Sequence, residues 1–291
     1  MPDRHTEATP RRLDLPALRL DWCPDVPDHR DYSVADRKVA AALSHLKPPR
    51  GGSDPIGRID WREYALPVRT PHLQVNSAVE ACIGLIEHFE RRASGRRLQL
   101  SRTFLEYTAG RFAAAAGGAV TLRTVFKAAR RCGVPPEKYG PATGIREPPD
   151  AFAYSFQRYF GPIRYLRLDS PLATGDETLR RIRAFLTAGF PIAFGFAVSS
   201  SLGEGPDIWY PTAADDSLGG VAATAVGFDD RLRIRSDKGA LLVRAAWGSR
   251  WGDAAYAWLP YAFVRQRLAI DFWTLIKPAW IRCGEFSTPQ F

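Results

Sequence analysis

No histidine follows residue 88 in this chain of 291 residues; the five stand at His5, His29, His45, His72 and His88. Chemistry that needs an imidazole must therefore draw it from the first 88 residues. Cysteine is scarce as well. Cys23, Cys82, Cys132 and Cys283 are scattered and form no CxxC pair, which argues against a disulfide framework or a zinc site. No run of 18 apolar residues occurs, and the polar, basic start MPDRHTEATPRRLDLP holds no apolar stretch of signal-peptide length. A soluble, cytoplasmic chain without a membrane span is expected. There is no internal repeat.

What is present suits a globular protein. Hydrophobic residues make up 45% of the chain, with eight Trp, ten Tyr and sixteen Phe, enough for a core in one large domain or two lobes. The net charge is +9. Its arginines cluster at Arg91, Arg92, Arg96 and Arg97, at Arg180, Arg181 and Arg183, and at Arg231, Arg233 and Arg235. The last three alternate, so on a strand they would share one face. Such a surface could attract nucleic acid or an acidic protein. No nucleic-acid motif accompanies it, so plain surface solvation is the favoured reading.

The pattern divides into four parts. Residues 1–19 read as a flexible basic tail. Residues 20–69 read as an N-terminal strap, with a helical period in VADRKVAAALSHL and a Pro- and Gly-rich linker in KPPRGGSDP. Residues 70–160 read as a helical lobe. Its longest helix follows Asn76–Ser77, repeats Val79, Cys82, Ile83, Ile86 and Phe89 at three and four residues, and ends at Gly95. Further helices fit 103–116, 121–132 and 150–160, the second closed by Gly133. Residues 161–291 read as a β-rich lobe, with strands at 162–168, 191–198, 221–228 and 239–247 and a helix at 178–189. The fold class is α+β, a helical lobe followed by an antiparallel β-rich lobe.

Five segments carry a resemblance: LDWCPDVPDHRDYSV, LPVRTPHLQVNSAVEACIGLIEHFERR, GFPIAFGFAVS, SLGGVAATAVGFDD, and GALLVRAAWGSRWGDAAYAWLPYAFV running on to DFWTLIKPAWI. In order and spacing they resemble the bacterial branch of the papain-like cysteine peptidases, over roughly residues 20 to 285. The resemblance implies a cysteine thiolate at the start of the long helix, a histidine from the second lobe, an asparagine orienting it, and a glutamine donating to the oxyanion. This sequence departs from that set at each position. Where the family has V-x-D-Q-G-x-x-G-S-C-T, the chain runs from Val68 to Ala78, with Pro71 at the glutamine and Ser77 at the cysteine. Where the family has G-G-H-A-V, it has Gly219-Gly220-Val221-Ala222-Ala223, and where the family has R-N-S-W-G it has Arg244-Ala245-Ala246-Trp247-Gly248. Val221 stands for the histidine and Ala245 for the asparagine.

These readings make the chain a non-catalytic pseudopeptidase, a scaffold or accessory subunit that takes a peptide or protein partner in the former cleft. The cleft would be formed by His72, Asn76, Ser77, Val221, Ala245 and Trp247, an apolar recognition groove with an aromatic anchor. The strap lying across the groove is the competing arrangement. No cofactor or metal is implied. Two other functions compete: a divergent hydrolase or acyl transferase using Ser77 or His72, with Asp215 or Asp216 arriving from the other lobe, and electrostatic nucleic-acid binding through the arginine clusters. Ser77-Ala78-Val79-Glu80 also matches a capping box, which would explain Ser77 without catalysis, with Asn76 the alternative cap. Cys82 lies about 140° around the helix from Ser77 and is expected in the core.

Overall fold

A computed structural model describes residues 19–47, 57–65, 67, 75–141 and 147–290. The strap contributes a short strand β1 (Tyr32–Ser33), a helix α1 (Arg37–Leu43) and a strand β2 (Arg58–Asp60). The helical region follows with α2 (Ser77–Ser94), α3 (Arg102–Ala115), α4 (Leu122–Cys132), α5 (Ala151–Tyr154) and α6 (Gln157–Phe160). The second half holds β3 (Arg164–Arg167), α7 (Gly175–Thr187), β4 (Ile192–Ser199), β5 (Ser217–Ile234) and β6 (Asp237–Arg244). It closes with β7 (Tyr256–Pro260), α8 (Tyr261–Arg265), β8 (Ala269–Ile276) and α9 (Pro278–Ile281).

α2 is the axis of the molecule. Val79, Cys82, Ile83, Ile86 and Phe89 are all buried, and so are Ala78, Ala81, Leu85 and His88 on its other faces. A helix covered on every side belongs inside a protein. It stops at Gly95, whose φ of 70° a side chain with Cβ would resist. The region expected as one helix over 150–160 is two short ones. Their junction packs against the end of α4, where a Cβ on Gly133 would come within 2.6 Å of the Gln157 nitrogen.

The strands form one sheet in the order β1-β3-β8-β4-β5-β6-β7, with β2 added beside β5. All neighbours run antiparallel except β1 with β3. Gly220 to Phe228 of β5 is buried without interruption, because α2 and α7 both pack against this strand. β5 is longer than the 221–228 expected, since pairing with β4, β6 and β2 extends it past its apolar centre. β1 and β2 tie the strap into the sheet. No helix among the described residues is long and apolar enough to cross a membrane.

Candidate functional site

The site is the place where the N-terminus of α2 meets β5. Asn76 has extended backbone angles and caps the helix, its side-chain oxygen accepting from the Ala78 N–H at 2.9 Å. Its own N–H donates to Glu106 at 2.7 Å; burial pushes that carboxyl above its ordinary range, against the pull of this bond. Ser77 is therefore the first residue inside the helix and not its cap. Glu80 does not reach back to close a capping box; it accepts from Arg102 Nε at 2.6 Å.

Ser77 is 2% exposed, and its hydroxyl is engaged on both sides. It donates to Asp21 Oδ1 at 2.6 Å and accepts from the Ala222 N–H at 3.1 Å. The Ser77 N–H donates to the same carboxylate oxygen at 3.0 Å. Asp21 is held from its other side by Arg19. A carboxylate thus sits on the first turn of an 18-residue helix, where the backbone N–H groups and the macrodipole favour negative charge.

The next strap residue fills the adjoining space. Trp22 donates its backbone N–H to the Gly220 carbonyl at 3.0 Å. Its ring lies over two glycines: a Cβ at Gly195 would fall 1.8 Å from Trp22 Cε2, and one at Gly220 would fall 2.5 Å from Cε3. Leu20 lies beside Gly219. Arg19, Leu20, Asp21 and Trp22 thus occupy the junction of α2, β4 and β5.

Val221 and Ala245 do not line an open groove. Val221 is fully buried and pairs with Phe196 of β4, and Ala245 is 2% exposed. With the strap seated, both are covered where the sequence led to an open apolar groove. Trp247 is half-buried, with its ring 6.2 Å from Phe196 and 4.6 Å from Trp251. Its buried Nε1 has no partner among the described residues. Pro71 and His72 lie outside the described residues. Asp215 accepts from Thr212 at 2.7 and 2.8 Å and from Ser200, and makes no bond to Ser77. His88 lies eleven residues along α2 from Ser77. Burial, with help from Arg92, Arg244 and Arg91, drives its pKa down to about 3, so its ring is neutral. Cys82 is fully buried, and burial pushes its thiol well up. No cluster that could hold a metal is present among the described residues.

Asp21 and Trp22 are the site residues that sequence reading missed. They stand inside the first resemblance segment, but nothing local marks them. Their partners Ser77, Gly195 and Gly220 are distant in sequence, and the only trace is an acidic–aromatic pair ahead of a Pro-rich stretch.

No protein-family model matches the chain. An uncharacterized peptidase C1-like protein of Acanthamoeba polyphaga mimivirus is 32% identical over 164 residues, covering 53% of this chain and 50% of that protein. The chain thus spans about half the length of that curated relative. Among solved structures, xylellain, a cysteine protease from Xylella fastidiosa, superposes with a TM-score of 0.64 at 24% identity, covering 89% of this chain and 96% of that one. A digestive procathepsin L of the Tenebrio molitor larval midgut gives 0.55 at 15% identity, covering 81% and 74%. These likenesses establish the fold: two-lobed, α+β, papain-like.

Proposed function

We propose that this papain-like fold has lost peptide hydrolysis and serves as a binding module, its former cleft closed in the free chain by its own residues 19–22 and opened to a peptide or protein partner that displaces them. The observation that carries the reading is the state of Ser77. It stands where the fold's nucleophile is expected, yet its hydroxyl is bonded to a carboxylate and a backbone amide, and Val221 supplies no base. A serine needs a positioned base to attack a carbonyl, and Ala245 could not orient one.

The strap suggests the partner's chemistry. An extended segment with an acidic residue followed by a bulky aromatic would reproduce the bond to Gly220, the carboxylate on Ser77 and the ring over Gly195. Main-chain pairing would give affinity and the two side chains selectivity. The test is titration of a synthetic peptide spanning residues 19–26 into the full chain carrying Asp21→Ala and Trp22→Ala. Saturable binding there, and none to the parent chain, is expected; absence of binding to the double variant rejects the reading. Peptide-library cleavage above a Ser77→Ala control would reject the loss of catalysis.

Nucleic-acid binding through the arginine clusters has less support. Arg92 is stacked against Trp61 with its guanidinium 4.0 Å from the ring centre, Arg91 donates to the Ala65 carbonyl, and Arg183 is paired with Asp230. Arg231 and Arg233 are exposed on β5, but Arg235 lies beyond the strand's end, in a left-handed turn over Trp209.

A further inference from the structure

Apart from the junction of α2, β4 and β5, the strap helix α1 lies against α9 and leaves a groove between them. Val39 and Leu43 of α1 turn into the core. The small Ala41 and Ala42 then line one side of the groove, with Pro278 and the buried Ile281 of α9 on the other, and leave the space unfilled. The groove is about 290 Å³, close to the roughly 300 Å³ at which ligand sites begin. That is room for a bulky apolar side chain and not for a folded domain.

The rim of this apolar floor is basic: Lys38, His45, Arg164 and Arg282 border it, and no carboxylate does among the described residues. Lys38 and Arg282 are exposed and Arg164 is half-buried. None of these three forms an ion pair among the described residues. Arg164 is set in place by the Lys38 carbonyl, which accepts from its Nη1 at 3.3 Å. Two acids of the adjoining elements are engaged elsewhere. Asp36 caps α1 by accepting the Lys38 N–H at 2.7 Å, and Glu90 of α2 accepts from Lys277 and Trp280. Hydrated cations put no strain on the fold; what they set is the sign of whatever seats on the floor between them.

We propose that this groove docks an acidic segment of a partner protein, with one bulky apolar side chain packed over Ala42, Pro278 and Ile281 and flanking carboxylates meeting Lys38, Arg164 and Arg282. The apolar contact supplies affinity, and the charges supply encounter rate and selection by sign. A second copy of the chain fits poorly, since its net charge is +9 and like charges repel. A nucleic-acid backbone offers no apolar group to the floor, and a flat lipid surface leaves the recessed Ile281 uncovered. The groove is distinct from Ser77 and its surroundings, so it stands whether or not the former cleft binds a peptide.

The experiment is fluorescence polarisation of the full chain with labelled hexapeptides Asp-Glu-X-X-Glu-Asp, where X is Leu, Ile, Phe or Trp, beside the same peptide with Ser at both X positions. Saturable binding of at least one apolar-centred peptide is expected. It should weaken roughly tenfold or more in Lys38→Glu with Arg282→Glu, because like charges facing one another across an interface are costly, and the Ser-centred peptide should lose as much. Both substitutions are at exposed positions, and circular dichroism checks that the fold is kept. Arg231→Glu with Arg233→Glu on β5 makes the same change in net charge away from the groove and should leave binding intact. Failure of every peptide to bind overturns the proposal. So does equal loss in the two charge-reversed chains, or equal binding of the Ser-centred peptide. If phosphatidylserine vesicles or oligothymidylate bind through Lys38 and Arg282 and no peptide does, the surface reads lipid or nucleic acid and the proposal is overturned as well.

Discussion

At the scale of single residues, two positions can be tested directly, one in the site and one away from it. The Ser77 hydroxyl is bonded at once to Asp21 and to the Ala222 N–H. Ser77→Ala leaves that buried amide without a partner and removes a charge-assisted bond, so a loss of about 1–3 kcal/mol is expected in a denaturant titration. Asn76→Ala removes the helix cap and should cost roughly 0.5–2 kcal/mol. If Ser77→Ala is neutral while Asn76→Ala is not, Asp21 is held by the strap alone. The second position is Asp271, fully buried, with φ of 61°. It accepts the Asp25 N–H at 2.6 Å and lies 2.7 Å from Arg167. Burial pushes its carboxyl up to about 7 from an ordinary 3.8, against the pull of Arg167; the neighbouring Asp25 and Asp169 carboxylates add to the rise. A carboxyl with a raised folded pKa holds its proton more tightly in the folded chain. Its contribution to stability is then greatest below about pH 4 and declines as pH climbs toward 7. Asp25 is also raised by burial and works in the same direction. Asp271→Asn keeps an acceptor for the Asp25 N–H, tolerates the left-handed backbone and cannot titrate. Urea midpoints between pH 4 and 7.5 should therefore fall less steeply in the variant than in the parent chain; an unchanged slope would show that Asp271 keeps an ordinary pKa.

At the scale of elements, the strap's seat on the sheet is made of glycine. Gly195 has ordinary backbone angles, and the nearest atoms a side chain there would meet all belong to the Trp22 ring. Gly195→Ala and Trp22→Ala should each loosen residues 19–26 while the sheet persists. Limited proteolysis should then cut the strap several-fold faster, with the circular dichroism spectrum retained; unaltered cleavage would mean that the Asp25 and Asp31 contacts with Arg123 hold it unaided. The same contrast between local and distant causes explains what could be read in advance. α2 was legible because its apolar period, its capping residues and Gly95 all lie within twenty residues of one another. The choice of cap was not. Ser77-x-x-Glu80 fits a capping box, but Arg102, on another helix, takes Glu80, and Asp21 takes Ser77. A capping box forms instead at Thr174 and Glu177, on α7, where no tertiary partner competes among the described residues. The strap's position was hidden for the same reason, since Asp21 meets Ser77 across 56 residues and Ser77 meets Ala222 across 145.

At the scale of the whole molecule, the proposed loss of catalysis involves three separate parts of the chain, and this makes the proposal testable by repair. Ser77→Cys alone supplies a nucleophile with no base, because the site contains no imidazole among the described residues and His88 is buried and neutral further along α2. No turnover is expected, and no labelling by an epoxide. Pro71→Gln, Val221→His and Ala245→Asn restore the remaining groups the chemistry calls for, but two of these go into full or nearly full burial at positions now packed by small apolar side chains. An imidazole at 221 must be accommodated beside Phe196, its register partner on β4, and catalytic geometry tolerates little displacement. Asp21 would still sit on the helix N-terminus and Trp22 over Gly195, so substrate would meet a closed site. Faint hydrolysis of a fluorogenic peptide is therefore expected from the four substitutions, rising at least several-fold when Asp21→Ala and Trp22→Ala are added. If Ser77→Cys by itself turns over substrate, a base exists that the packing around Ser77 does not reveal. If the strap substitutions change nothing in the repaired chain, closure by residues 19–22 is not what keeps substrate out.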